Sequence, residues 1–173
     1  DVYCTNALLL DVTHDTVLYE KDGYERAYPA SLTKVLTALL VMEAIEGGQL
    51  SPSTPVTAGE TAYQGWMDGA TTANIKTGEV LTVEELLYCL LLPSANEAAN
   101  ILAVAVDGTI EDFVAHMNRR AAELGCQGTH FTNPNGLHND EHYTTAYDLA
   151  LMMEAALDYD LFRTIIDTAV HTV

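Results

Sequence analysis

The sequence predicts an α+β fold in which a strand hairpin leads into a mainly helical chain. Three observations carry this. Two strand-like runs, YCTNALLLDV (residues 3–12) and TVLYEK (16–21), are separated only by Thr13, His14 and Asp15, which is hairpin spacing. A run with helical spacing starts near Ser31 and stops before Gly47-Gly48, a C-terminal helix signal. Four further helical patterns follow, most of them opened by a capping residue and closed by glycine or proline.

The elements follow in order. The run after Ser31 is apolar on nearly every face, with Leu32, Val35, Leu36, Leu39, Leu40, Val41, Met42 and Ile45. A helix of that kind is buried on all sides, so it is expected to be the central pillar. Residues 51–80, rich in Thr, Gly and Ala, read as loops with short strands. TVEELLYCLLL then opens with Thr82 and Glu85 spaced as a capping box, and Pro93 closes it. NEAANILAVAV stops at Gly108, and Thr109 caps IEDFVAHMNRRAAEL, which ends at Gly125. NPNG (133–136) is a turn by composition, and Thr145 with Asp148 opens AYDLALMMEAAL. The final DTAVHTV reads as extended, one further strand. A lone hairpin is a poor sheet, so its remaining strands are missing from this inventory.

Composition narrows the function. With 173 residues and 49% hydrophobic content, the chain is globular and long enough for a core that buries roughly 70% of its unfolded surface. Its 25 acidic residues against 7 basic ones leave a net charge of −18. Phosphate backbones and anionic membrane surfaces need a basic face, so nucleic acid is not an expected partner. Cys4, Cys89 and Cys126 show no CxxC pair, and an odd number cannot all pair within the chain. No signal peptide begins the sequence, and no apolar run reaches the roughly 20 residues of a membrane span.

The chemistry concentrates in PASLTK (29–34). On a helix, Ser31 and Lys34 share one face, with Cβ atoms about 5–6 Å apart. A serine hydroxyl needs a base before it is nucleophilic, and a lysine serves if burial lowers its pKa. The first helical turn also offers free N–H groups to a developing oxyanion. S-x-x-K is a signature of penicillin-binding proteins and class A β-lactamases. The plain alternative is Ser31 as an N-cap and Lys34 stretching to water. Against it, the lysine opens a helix that has no polar face to carry it. A second element, Ser94 to Asn96 in PSAN, falls in the break between two apolar helices. There a hydroxyl could relay a proton and an amide could hold a substrate carbonyl, although helix capping alone would also account for both.

With these motifs in hand, LLLDVTHDTVLYEKDGYERAYPASLTKVLTALLVMEA resembles the opening of serine-type D-Ala-D-Ala carboxypeptidases, the low-molecular-mass penicillin-binding proteins. GEVLTVEELLYCLLLPSANEAANILA, FVAHMNRRAAELGCQGTHFTNPNGLH and HYTTAYDLALMMEAAL match the same family in the same order. The resemblance implies the penicillin-binding, β-lactamase-like fold: a five-stranded antiparallel sheet against a mostly helical region, with the sheet incomplete in this chain. It implies Ser31 as the acylated nucleophile, Lys34 as its base, Ser94 as proton relay and Asn96 as a substrate-positioning amide. No metal and no cofactor are expected. The partners the resemblance implies are a peptidoglycan stem peptide, β-lactam antibiotics and a C-terminal remainder of the same protein, on the extracytoplasmic, cell-wall side of a bacterial membrane.

The family's third motif, Lys-Thr-Gly on a sheet strand after the second motif, is not reached. Lys76-Thr77-Gly78 precedes Ser94 and runs into a capping box, so it is expected to sit in a turn, as a coincidence. The chain therefore reads as a single truncated catalytic domain over 1–173, with a first sheet hairpin (1–28) and a mainly helical part (29–173). Alone it is expected to be inactive. Two other functions fit the motifs: a class A-like β-lactamase, whose deacylating glutamate loop is not seen in FTNPNGLHNDEHYTTA, and a β-lactam sensor acylated without turnover. His138 and His142 have H-x-x-x-H spacing but fall in a loop, so zinc is not expected; His14, His116, His130 and His171 are isolated.

Overall fold

A computed structural model describes residues 2–173. The hairpin forms from β1 (Ala7–Asp11) and β2 (Thr16–Lys21), antiparallel, with a register irregularity between Leu9 and Leu10. β1 is shorter than the run 3–12 suggests. Its N-terminal flank is held by side chains instead of a ladder: Asn6 Nδ2 donates to the Asp22 carbonyl at 2.7 Å and Lys21 Nζ to that of Cys4 at 2.6 Å.

The chain then makes a 3₁₀ turn (Ala30–Thr33) that passes directly into α1 (Lys34–Glu46). A second short sheet pairs β3 (Pro55–Thr57) with β4 (Val80–Thr82), antiparallel. α2 (Val83–Leu91) begins with the expected capping box: the Glu85 N–H donates to Thr82 Oγ1, and the Thr82 N–H donates to the Glu85 carboxylate at 2.7 Å. α3 (Asn96–Asp107), α4 (Ile110–Glu123) and α5 (Ala146–Leu157) follow, the last two capped by Thr109 and Thr145.

α1 is the pillar. Leu36, Leu39, Leu40 and Val41 are fully buried, and the helix packs against α2, α3, α4 and α5. A residue fully buried on such a helix is costly to shorten, about 2–5 kcal/mol for Leu to Ala. Arg120 Nε on α4 donates to Glu43 on α1 at 2.8 Å, which ties these two helices at their polar rim.

Two features differ from expectation. A sixth helix, α6 (Asp160–Ile166), was not anticipated; Phe162 and Ile165 give it a buried face against α1, α2 and α5. The extended reading of DTAVHTV does not become a strand. Among the described residues no strand pairs with it, and it is held by His171 stacking on Tyr88, ring centroids 3.6 Å apart and nearly parallel. A ladder needs an open partner edge, and side-chain stacking wins where none lies alongside.

Candidate active site

Ser31 lies in the 3₁₀ turn and is exposed, while Lys34, one turn on, is 2% exposed. Neither follows the plain capping alternative. Ser31 makes no cap for the turn or for α1, and the Lys34 ammonium points inward. Lys34 Nζ donates to Ser31 Oγ at 3.3 Å, to Asn96 Oδ1 at 2.7 Å and to the Asn135 carbonyl at 2.7 Å. Among the described residues no carboxylate is in contact with it. Burial pulls the ammonium down to about 8, and the more distant Glu97 carboxylate partly opposes that. An amine with such a pKa is free in roughly a tenth of molecules at pH 7 and can take a hydroxyl proton.

Ser94 lines the same cleft of about 400 Å³ as Ser31, Lys34 and Val35. Its backbone is left-handed (φ 60), a conformation that costs a non-glycine residue about 1–2 kcal/mol. Two bonds hold it there: Thr71 Oγ1 donates to the Ser94 carbonyl at 2.5 Å, and the Asn96 N–H donates to the Thr71 carbonyl at 3.0 Å. Ser94 Oγ itself is buried and has no partner among the described residues. The hydroxyl is thus uncommitted, on a residue that lines the cleft holding the nucleophile candidate. Glu97, fully buried, secures the same wall by accepting from Thr72 Oγ1 and the Ala73 N–H, both at 2.7 Å.

Lys34 also meets a loop that the sequence shows only as a turn. Its Asn135 carbonyl binds Lys34, its Pro134 carbonyl accepts from Thr37 Oγ1 at 2.6 Å, and Asn135 Nδ2 donates to Asn100 Oδ1 at 3.2 Å. Gly136 packs on the Ala30 carbonyl so closely that a Cβ would sit 1.9 Å from it. His142 is 2% exposed, and its Nε2 lies 2.8 Å from Thr33 Oγ1. The Asn-Pro-Asn-Gly composition was the one signal that could have flagged this loop; its partners lie about a hundred residues away and leave no trace in local pattern.

The remaining candidates separate from this cleft. Thr77 and Gly78 form a turn, with the Lys76 N–H on Glu79, as expected of the misplaced Lys-Thr-Gly. The two histidines of the H-x-x-x-H spacing diverge: His142 is inside on Thr33, whereas His138 is exposed against Tyr28 and Asp140.

One buried lysine bonds to a serine and an asparagine drawn from two separate motifs. The sequence profile of D-alanyl-D-alanine carboxypeptidases matches residues 1–170. The chain belongs to the D-alanyl-D-alanine carboxypeptidase family. Among D-alanyl-D-alanine carboxypeptidases, DacF of Bacillus subtilis (strain 168) is 39% identical over 155 residues, 90% of this chain and 39% of its own. The solved DacD of Francisella tularensis superposes with a TM-score of 0.88 at 31% identity, over 96% of this chain and 40% of its own. Penicillin binding protein 5 of Haemophilus influenzae gives a TM-score of 0.89 at 27% identity, over 95% and 48%. The fold is therefore that of the penicillin-binding proteins, and the chain spans about two-fifths of the length of the curated carboxypeptidases it matches.

Proposed function

We propose that this chain carries the nucleophile, base and proton relay of a serine D-Ala-D-Ala carboxypeptidase. The observation that supports it most directly is Lys34 Nζ bonded at once to Ser31 Oγ and Asn96 Oδ1 in a buried setting. Free Lys34 takes the Ser31 proton as Oγ attacks the carbonyl of the penultimate D-Ala in a peptidoglycan stem peptide. The Ser94 hydroxyl passes a proton to the leaving amine, D-Ala departs, and water hydrolyses the ester. The Asn96 amide nitrogen, which makes no hydrogen bond within the described residues, is free to hold the substrate carbonyl. β-Lactams acylate the same Ser31. The substrate places the enzyme on the extracytoplasmic, cell-wall side of a bacterial membrane. No helix among the described residues is long and apolar enough to cross one.

Labelled penicillin added to the full-length gene product tests the reading. Wild type is expected to label and Ser31→Ala not to; a Ser31→Ala protein that still labels removes Ser31 as the nucleophile. Release of free D-Ala from a diacetyl-Lys-D-Ala-D-Ala peptide then distinguishes a turning-over carboxypeptidase from a sensor acylated once.

A further inference from the structure

Four contacts join the loop 132–142 to one face of the 3₁₀ turn and α1. They fall on residues 30, 33, 34 and 37, the i, i+3, i+4, i+7 stripe of a helix. Three of them use the loop's backbone: Gly136 against Ala30, the Asn135 carbonyl on Lys34 and the Pro134 carbonyl on Thr37. The fourth is made by a side chain, His142 to Thr33. Thr33 is fully buried and sits between Ser31 and Lys34 in sequence.

The histidine's protonation is set by its neighbours. The Thr132 N–H donates to His142 Nδ1 at 3.0 Å, so Nδ1 is an acceptor and carries no proton. The ring proton is on Nε2, which donates to Thr33 Oγ1 at 2.8 Å. Phe131 packs edge-on against the ring, and burial with the nearby His130 and His138 pushes its pKa down to about 4. The ring is therefore a fixed, neutral, two-ended strut between the loop and the turn.

We propose that His142 is a positioning residue for the nucleophile turn, holding Thr33, and so the Ser31–Lys34 pair, through its Nε2–H. This rests on the reading of Ser31 and Lys34 as nucleophile and base. Displacing a reactive pair by about 1 Å costs on the order of 100-fold in rate, so even a small relaxation of the turn is measurable.

The test compares two conservative replacements. A glutamine amide nitrogen reaches about as far as imidazole Nε2 and keeps a donor for Thr33. An asparagine oxygen reaches only as far as Nδ1 and keeps the Thr132 bond alone. In penicillin acylation kinetics of the full-length gene product, His142→Gln is expected to stay within a few-fold of wild type. His142→Asn and Thr33→Val should each fall about 10- to 100-fold. The double variant His142→Asn with Thr33→Val should be no slower than the slower single, at similar thermal midpoints. Equal rates for Gln and Asn, or additive losses in the double variant, overturn the inference. Nitrogen NMR of the histidine rings decides independently of acylation. His142 should be protonated on Nε2 and shift in Thr33→Val, and the opposite tautomer ends the proposal even if no penicillin is bound. A wild type that does not label at Ser31 counts instead against the parent reading.

Discussion

Lys34 is a buried cation at the first position of an apolar helix, and nothing about its own helix explains it. Its three hydrogen bonds come from the 3₁₀ turn, α3 and the loop at Asn135, and none is to a carboxylate. Hydrogen bonds satisfy the ammonium's donors without neutralising its charge, so burial keeps its pKa depressed. The sign matters for catalysis: with the pKa lowered from 10.5 to about 8, the free amine grows tenfold per pH unit up to about 8 and then saturates. Penicillin acylation is accordingly expected to rise between pH 6 and 8 and level off above. A rate flat over that interval would exclude Lys34 as the base. Of the residues named here, Ser31, Lys34, Ser94 and Asn96 could be read from short motifs, because spacing along one helix or across one helix break is local. Thr33, Asn135 and His142 could not, since their roles exist only where distant segments meet.

The loop 132–142 shows what such a meeting requires of an element. It has no regular secondary structure of its own, yet its backbone carbonyls and one glycine brace Ala30, Lys34 and Thr37. Gly136 has φ 87 and lies on the Ala30 peptide, itself left-handed at φ 49. An added methyl meets both objections, a disfavoured φ and a backbone atom that cannot step aside. Gly136→Ala should therefore lose at least about 1–2 kcal/mol in urea unfolding and lose most penicillin labelling. A variant that labels at the wild-type rate would show that the nucleophile turn does not depend on this contact. The capping box of α2, the threonine caps of α4 and α5 and the glycine stops, by contrast, were plain in sequence, because a cap is an interaction across three residues. α6 escaped notice since its seven residues carry no cap bond and owe their helicity to Phe162 and Ile165 packing inward.

Across the entire molecule, a net charge of −18 surrounds a core built on α1. Self-repulsion among like charges works against the compact state, and salt screens it, with a Debye length of about 10 Å at 0.1 M. Raising NaCl from about 20 mM to about 500 mM should raise the thermal midpoint by several degrees. A midpoint that falls would mean that attractive pairs such as Arg120 with Glu43 outweigh the repulsion. The α+β character, the buried pillar helix and the two motifs follow from the order of residues alone, because each is written in contacts between near neighbours. The bracing of the nucleophile turn was decided by tertiary packing. Lys34 meets Asn135 across 101 positions of chain, and Thr33 meets His142 across 109. Folding must bring such groups together before either has a partner, and no periodicity in the sequence records which pairs will meet.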